Sequence, residues 1–146
     1  MSGRYRADMA RTAWFSPLAL LLVILGGAAG VAARAAIIVP FGPSAHPLVV
    51  PALTLAINLV GALLLGVVVG LLDDRHPLLR VALGTGVMGG FTTYSAFAVQ
   101  SLTVSSASPA IGLVLIAVSL FGGVVAAVIG LGLGRRIADR PGEIEP

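Results

Sequence analysis

Hydrophobic and polar positions along this chain alternate in blocks rather than in stripes. An amphipathic helix keeps its apolar residues on one face, and a half-buried strand alternates them residue by residue. Here four runs are apolar all round, at about 18–38, 48–72, 81–102 and 110–133. Each is long enough for the roughly 20 residues that a helix needs to cross a bilayer core. Pro40, Gly42, Pro43 and Pro47 punctuate the first gap, Asp73-Asp74-Arg75-His76-Pro77 forms the second, and Ser105, Ser106, Ser108 and Pro109 close the third run. The pattern predicts an all-α membrane protein. Four transmembrane helices fill residues 17–134, between an N-terminal segment 1–16 and a short polar tail 135–146. The basic start followed by an apolar run has the outline of a secretory signal, but the run continues past the usual length.

The interruptions inside the runs carry the chemistry. Asn58 lies mid-way along the second run and Ser119 mid-way along the fourth. The third holds Gly89-Gly90 followed by Thr92, Thr93, Tyr94, Ser95 and Phe97. At 1.5 Å per residue each of these features is roughly 15 Å from a membrane face, so they are expected to meet at one depth. Gly89-Gly90 lets the chain leave helical geometry, which predicts a third helix broken near the midplane. A break frees carbonyls that can hold a cation and amides that can face an anion. Lipid cannot satisfy such a backbone, so it must be buried in protein or line a cavity. The blander reading of Asn58 and Ser119 is interhelical hydrogen bonding, worth about 0.6–2 kcal/mol each. Gly26/Gly30, Gly66/Gly70, Gly86/Gly90 and Gly130/Gly134 have the GxxxG spacing that brings helices close together.

Composition narrows the chemistry. Charged residues make up 10% of the 146 residues, against about 25% in soluble domains, and mean hydropathy is +1.05. Cysteine is absent, which excludes disulfides and thiolate metal sites. All nine basic residues are arginines at the ends of runs, so the high isoelectric point reflects topology rather than nucleic-acid binding. Arg4, Arg6, Arg11, Arg75, Arg80, Arg135, Arg136 and Arg140 fall on one side of a four-span chain, with Arg34 alone on the other. By the positive-inside rule both termini are expected in the cytoplasm. No run contains Asp, Glu, Lys or His. A proton relay through the membrane therefore has no carrier, and no nucleophile–base pair or metal-ligand set can be assembled at mid-membrane. What remains is a neutral set of amide and hydroxyl donors with aromatic ring edges, which favours a small anion over a cation.

At these residues the sequence resembles the Fluc/CrcB family of bacterial fluoride channels, over all four runs. The segments are Gly26 to Arg34 (GGAAGVAAR), Thr54 to Gly61 (TLAINLVG) and Gly89 to Phe97 (GGFTTYSAF). The resemblance implies a four-helix subunit in an antiparallel dimer, with two pores at the interface, that exports fluoride passively across the bacterial inner membrane. It implies that Asn58 donates to fluoride and that Phe97 lines its path. Tyr94 stands where the family has its other pore phenylalanine. Thr93, Ser95 and Ser119 correspond to a polar track, and Arg34 to a basic residue near the pore entrance. Backbone carbonyls around Gly89 and Thr92 correspond to those that hold a structural sodium ion together with the partner's equivalents. Gln100 stands where a glutamate is usual.

The arginine bias adds an expectation about assembly. Subunits that insert in both orientations tend towards balanced charge, whereas this chain is biased eight to one, so its partner is expected to be an oppositely oriented relative. Two other readings compete. A small multidrug-type exporter also has four spans, but it needs a membrane carboxylate in its first span, and this chain has none there. A non-conducting scaffold subunit would use the polar groups and glycine pairs for packing alone.

Overall fold

The computed structural model describes residues 16–42, 46–73 and 75–139, and these residues are mostly helical, with no strand among them. Helix α1 runs from Pro17 to Ile38. Ser16 caps it, its Oγ accepting the Ala19 N–H at 3.0 Å, and Pro17 occupies the first turn, where its missing N–H is no loss. A 3₁₀ turn, Val39–Phe41, carries Pro40. Helix α2, Val49–Leu72, ends at Asp73, whose φ of 39° turns the chain away. The Asp73 carbonyl accepts a hydrogen bond from Arg80 Nη1 at 3.2 Å.

The third run folds in pieces. Helix α3, Pro77–Arg80, leads into a wider π-wound stretch, Val81–Met88, and then into α4, Gly89–Phe91. Thr92 and Thr93 are extended, and α5 restarts at Tyr94 and runs to Ala107. Helix α6, Pro109–Ala138, follows at once and continues past the expected end at Leu133. Three helical stretches are each long and apolar enough to cross a membrane, namely Pro17–Phe41, Val49–Leu72 and Pro109–Ala138.

Glycines fix the helix directions. Gly26 and Gly30 of α1 meet Ala82, Gly86, Val87 and Phe91 in ascending order, so α1 runs parallel to the stretch before the break. Gly66 and Gly70 meet the backbone of Ala127 and Leu131, and Gly130 and Gly134 meet that of Leu63 and Val67, so α2 and α6 are also parallel. At Gly66, Gly70, Gly130 and Gly134 a Cβ would strike a backbone carbonyl of the neighbouring helix. This is the close approach that small residues permit where lipid supplies no hydrophobic drive to associate. Gly61 faces Thr92 while Gly84 faces Leu65 and Val68, so the broken stretch runs antiparallel to α2. The outward faces carry exposed apolar side chains such as Leu20, Leu25, Phe121 and Val128, as expected of a surface that meets lipid.

The same directions bring Arg75, Arg80, Arg135 and Arg136 to one end of the molecule, where α2 and α6 finish and α3 begins. Arg4, Arg6, Arg11 and Arg140 lie outside the described residues.

Candidate functional site

The break is not where the glycines suggested. Gly89 and Gly90 are helical, Gly89 with φ −64° and ψ −36°. Gly90 serves packing, because a Cβ there would strike the Gly27 carbonyl, whereas Gly89 faces open space. The chain leaves the helix at Thr92 (φ −80°, ψ 159°) and Thr93 (φ −148°, ψ 115°). Both are extended conformations open to any residue, and β-branched side chains suit them. Hydrogen bonds from other groups hold them there.

Asn58 supplies the main clamp. Its Oδ1 accepts the Thr93 N–H at 2.9 Å, and its Nδ2 donates to the Thr93 carbonyl at 3.1 Å. One side-chain amide thus satisfies both polar groups of the residue that lost its helical partners. A second Nδ2 proton remains. Below the break the Met88 carbonyl accepts from both Thr92 N–H (3.0 Å) and Thr92 Oγ1 (2.9 Å). Above it Thr93 caps α5, its Oγ1 accepting the Ala96 N–H at 3.3 Å and lying 3.4 Å from Ser95 Oγ. The carbonyls of Gly89, Gly90 and Phe91 accept no backbone N–H from beyond the break among the described residues. They are the orphan acceptors that a terminating helix leaves behind.

The site has an inward and an outward half. Thr93 and Phe97 are buried, and Asn58 and Thr92 are half-buried. Gly89 and Ser95 are exposed, and Tyr94 is 80% exposed although it adjoins the break. Its ring centroid lies 6.4 Å from that of Phe97, with the planes tilted by 51°. Ser119 is half-buried on α6, one turn before Gly122, which packs on Leu59. It therefore sits near the level of Asn58, but no hydrogen bond joins it to the cluster among the described residues. Arg34 is half-buried on α1, one turn beyond the contact of Gly30 with Phe91. Gln100 is half-buried and lines a hollow of about 430 Å³ between the start of α2 and the end of α5, with Pro51, Thr103 and Ser108.

Two residues with no site role assigned from the sequence stand out. Thr54 is fully buried, Ser101 is 4% exposed, and neither hydroxyl has a hydrogen-bond partner. Thr54 is one turn before Asn58 and Ser101 one turn after Phe97, so the helical repeat puts each on a face already singled out. Each is a buried donor with no acceptor assigned to it, which native structures rarely tolerate. Among the described residues no three of His, Asp and Glu come together as a metal-ligand set.

Membrane-length helices gathered around a clamped backbone break define a multi-pass membrane protein with an internal polar site. The chain belongs to the CrcB-like family: residues 21–131 match the family model described as CrcB-like protein, Camphor Resistance (CrcB). It is 40% identical over 132 residues to "Fluoride-specific ion channel FluC 2" of Leifsonia xyli subsp. xyli, covering 84% of this chain and 88% of the relative. It is 37% identical over 125 residues to the protein of the same name from Thermobifida fusca, covering 83% and 91%. With the Bacillus subtilis protein of that name it shares 42% over 90 residues, covering 60% and 69%. These relatives are named as ion channels, not as enzymes.

Proposed function

We propose that this chain is a subunit of a fluoride-specific channel through which fluoride leaves the cytoplasm passively, lowering its toxicity. The observation that carries the proposal is the Asn58-clamped break, which gathers neutral donors without a carboxylate, lysine or histidine among them. The spare Nδ2 proton of Asn58 and the hydroxyls of Thr93, Ser95, Thr54 and Ser101 are the groups available to replace water around a small anion. Phe97 and Tyr94 offer ring edges beside them. Ser119 extends the set from α6, and Arg34 supplies the positive charge that draws an anion towards it. The names of the relatives favour fluoride among small anions. With no intramembrane acid or histidine, transport has no visible coupling to protons.

The chain crosses the membrane four times in this reading. Stretches 77–91 and 94–107 both run antiparallel to α2, so the broken run advances in one direction as a single pass. The outward half of the break supports a dimer. Tyr94, Ser95 and Gly89 present polar groups on the protomer surface at the level of Asn58, near the middle of α2. Lipid cannot satisfy them, so a second subunit must cover them. An antiparallel partner brings the two breaks together. The arginine bias supports an oppositely oriented relative as that partner, both termini of this chain lying in the cytoplasm at the inner membrane.

A structural sodium ion fits the donor chemistry. The unclaimed carbonyls begin at Gly89, and the Thr92 carbonyl joins them because the Ala96 N–H is taken by Thr93 Oγ1. Neutral oxygens on an unwound helix suit a hard monovalent cation, and one protomer supplies only part of its shell. Bound there, sodium would neutralise the crowded carbonyl dipoles and tie the two breaks together.

Fluoride efflux from liposomes tests the proposal, comparing the native chain with Asn58→Asp. The substitution exchanges a donor for a negative acceptor, and flux should be abolished. Unchanged flux would refute the role given to Asn58.

A further inference from the structure

At the C-terminal end of the α2–α6 pair a hollow of about 220 Å³ opens beside Gly70 and Leu131. Asp73 and Arg75 rim it from the end of α2, and Arg135 and Asp139 from the end of α6. Among the described residues it is thus rimmed by two carboxylates and two guanidinium groups, and none of these four side chains forms an ion pair there. Gly70 and Leu131, whose backbones approach closely, line it as well. Its size is below the range of about 300–1,000 Å³ typical of drug-sized ligands.

Position and charge together select the ligand. The hollow lies where two membrane-length helices end, at headgroup depth. Basic pockets between transmembrane helices on the cytoplasmic side take lipid headgroups. Purely anionic headgroups would meet the carboxylates of Asp73 and Asp139 as well as the arginines. A ligand bearing both charges a few atoms apart satisfies all four groups. We infer that this hollow binds the zwitterionic headgroup of phosphatidylethanolamine. Arg75 and Arg135 clamp its phosphate, for which the guanidinium fork is suited. Asp73 and Asp139 accept hydrogen bonds from its primary ammonium. Phosphatidylcholine carries the same phosphate but no N–H donor, so it meets half the site. The headgroup would bridge the ends of α2 and α6 and bind independently of whichever ion the protein conducts.

Native mass spectrometry of the full chain in mild detergent, titrated with each lipid, tests this. Phosphatidylethanolamine should be retained about two- to fivefold better than phosphatidylcholine or phosphatidylglycerol, the size of one exposed ion pair. The Asp73→Asn/Asp139→Asn double variant should lose its preference over phosphatidylcholine and still bind both lipids. Arg75→Gln/Arg135→Gln should weaken all three lipids. The four residues are exposed, and an unchanged melting temperature checks that each variant is folded. Equal retention of the ethanolamine and choline lipids by the native chain would overturn the inference. So would a preference for phosphatidylglycerol, which would mark the arginine rim as an anionic-lipid site, or displacement of the lipid by inorganic phosphate.

Discussion

Replacing Asn58 with leucine removes both partners of the Thr93 backbone in one step. The side chain's bonds to Thr93, at 2.9 and 3.1 Å, would be lost while Thr93 itself remains only 8% exposed. Each backbone group left buried and unpaired costs about 1–3 kcal/mol. Asn58 is half-buried, so some solvent or detergent reaches the gap and moderates the loss. The expected destabilisation is about 2–4 kcal/mol, well above the mean for interhelical hydrogen bonds in membranes of about 0.6 kcal/mol. The excess arises because a backbone N–H and C=O cannot turn away to another partner as a side chain does. Reversible unfolding by SDS in mixed micelles, followed by circular dichroism, measures it against Val60→Ala on the exposed face of α2. A loss no larger than that of the control would show that the break holds itself and that Asn58 is not its clamp.

Other consequences are equally open to measurement. Thr54→Val replaces an unpartnered buried hydroxyl with a methyl group. Stability should hold or rise by up to about 1 kcal/mol, while fluoride efflux falls; unchanged efflux would remove Thr54 from the ion path. Gly130→Leu should unfold the α2–α6 pair, because even a Cβ strikes the Leu63 carbonyl, whereas Gly132→Ala meets nothing within 4 Å and should be silent in the same SDS titration. The chain has no cysteine, so Tyr94→Cys gives a single probe. A lipid-phase maleimide should fail to label it in the assembled membrane protein, and rapid labelling would refute burial beneath a partner. Fluoride flux down its own gradient should persist when a protonophore collapses the pH gradient, and abolition would point to proton coupling.

The helices were legible because a bilayer imposes lengths that apolar runs record directly. Residues 18–38 and 48–72 were expected to be helical, and α1 and α2 occupy 17–38 and 49–72. Glycine spacing pointed to close packing, but only the structure pairs Gly26/Gly30 with Gly86/Gly90 and Gly66/Gly70 with Gly130/Gly134 in parallel. The break was foreseen and misplaced. Glycine permits departure from a helix without requiring it, and here Gly90 is held helical by its contact with Gly27. Thr92 and Thr93 leave instead because Asn58, thirty-five residues away in sequence, claims the Thr93 backbone. A clamp of that range leaves no local signature. Thr54 and Ser101 were overlooked for a related reason, since a hydroxyl in an apolar run usually bonds back to its own helix. Thr103 and Ser106 do so, to Val99 and Leu102. Only burial without a partner sets Thr54 and Ser101 apart.

Fluoride-electrode recording of efflux from liposomes shows whether a fluoride path runs through the Asn58-clamped break. The chain should be affinity-purified from its own cells, so that any partner subunit accompanies it, and efflux started with valinomycin under a potassium gradient. Fluoride should leave rapidly and chloride should not, with fluoride efflux abolished by Asn58→Asp. Absence of fluoride efflux from the native complex, or efflux that survives Asn58→Asp, would contradict the account.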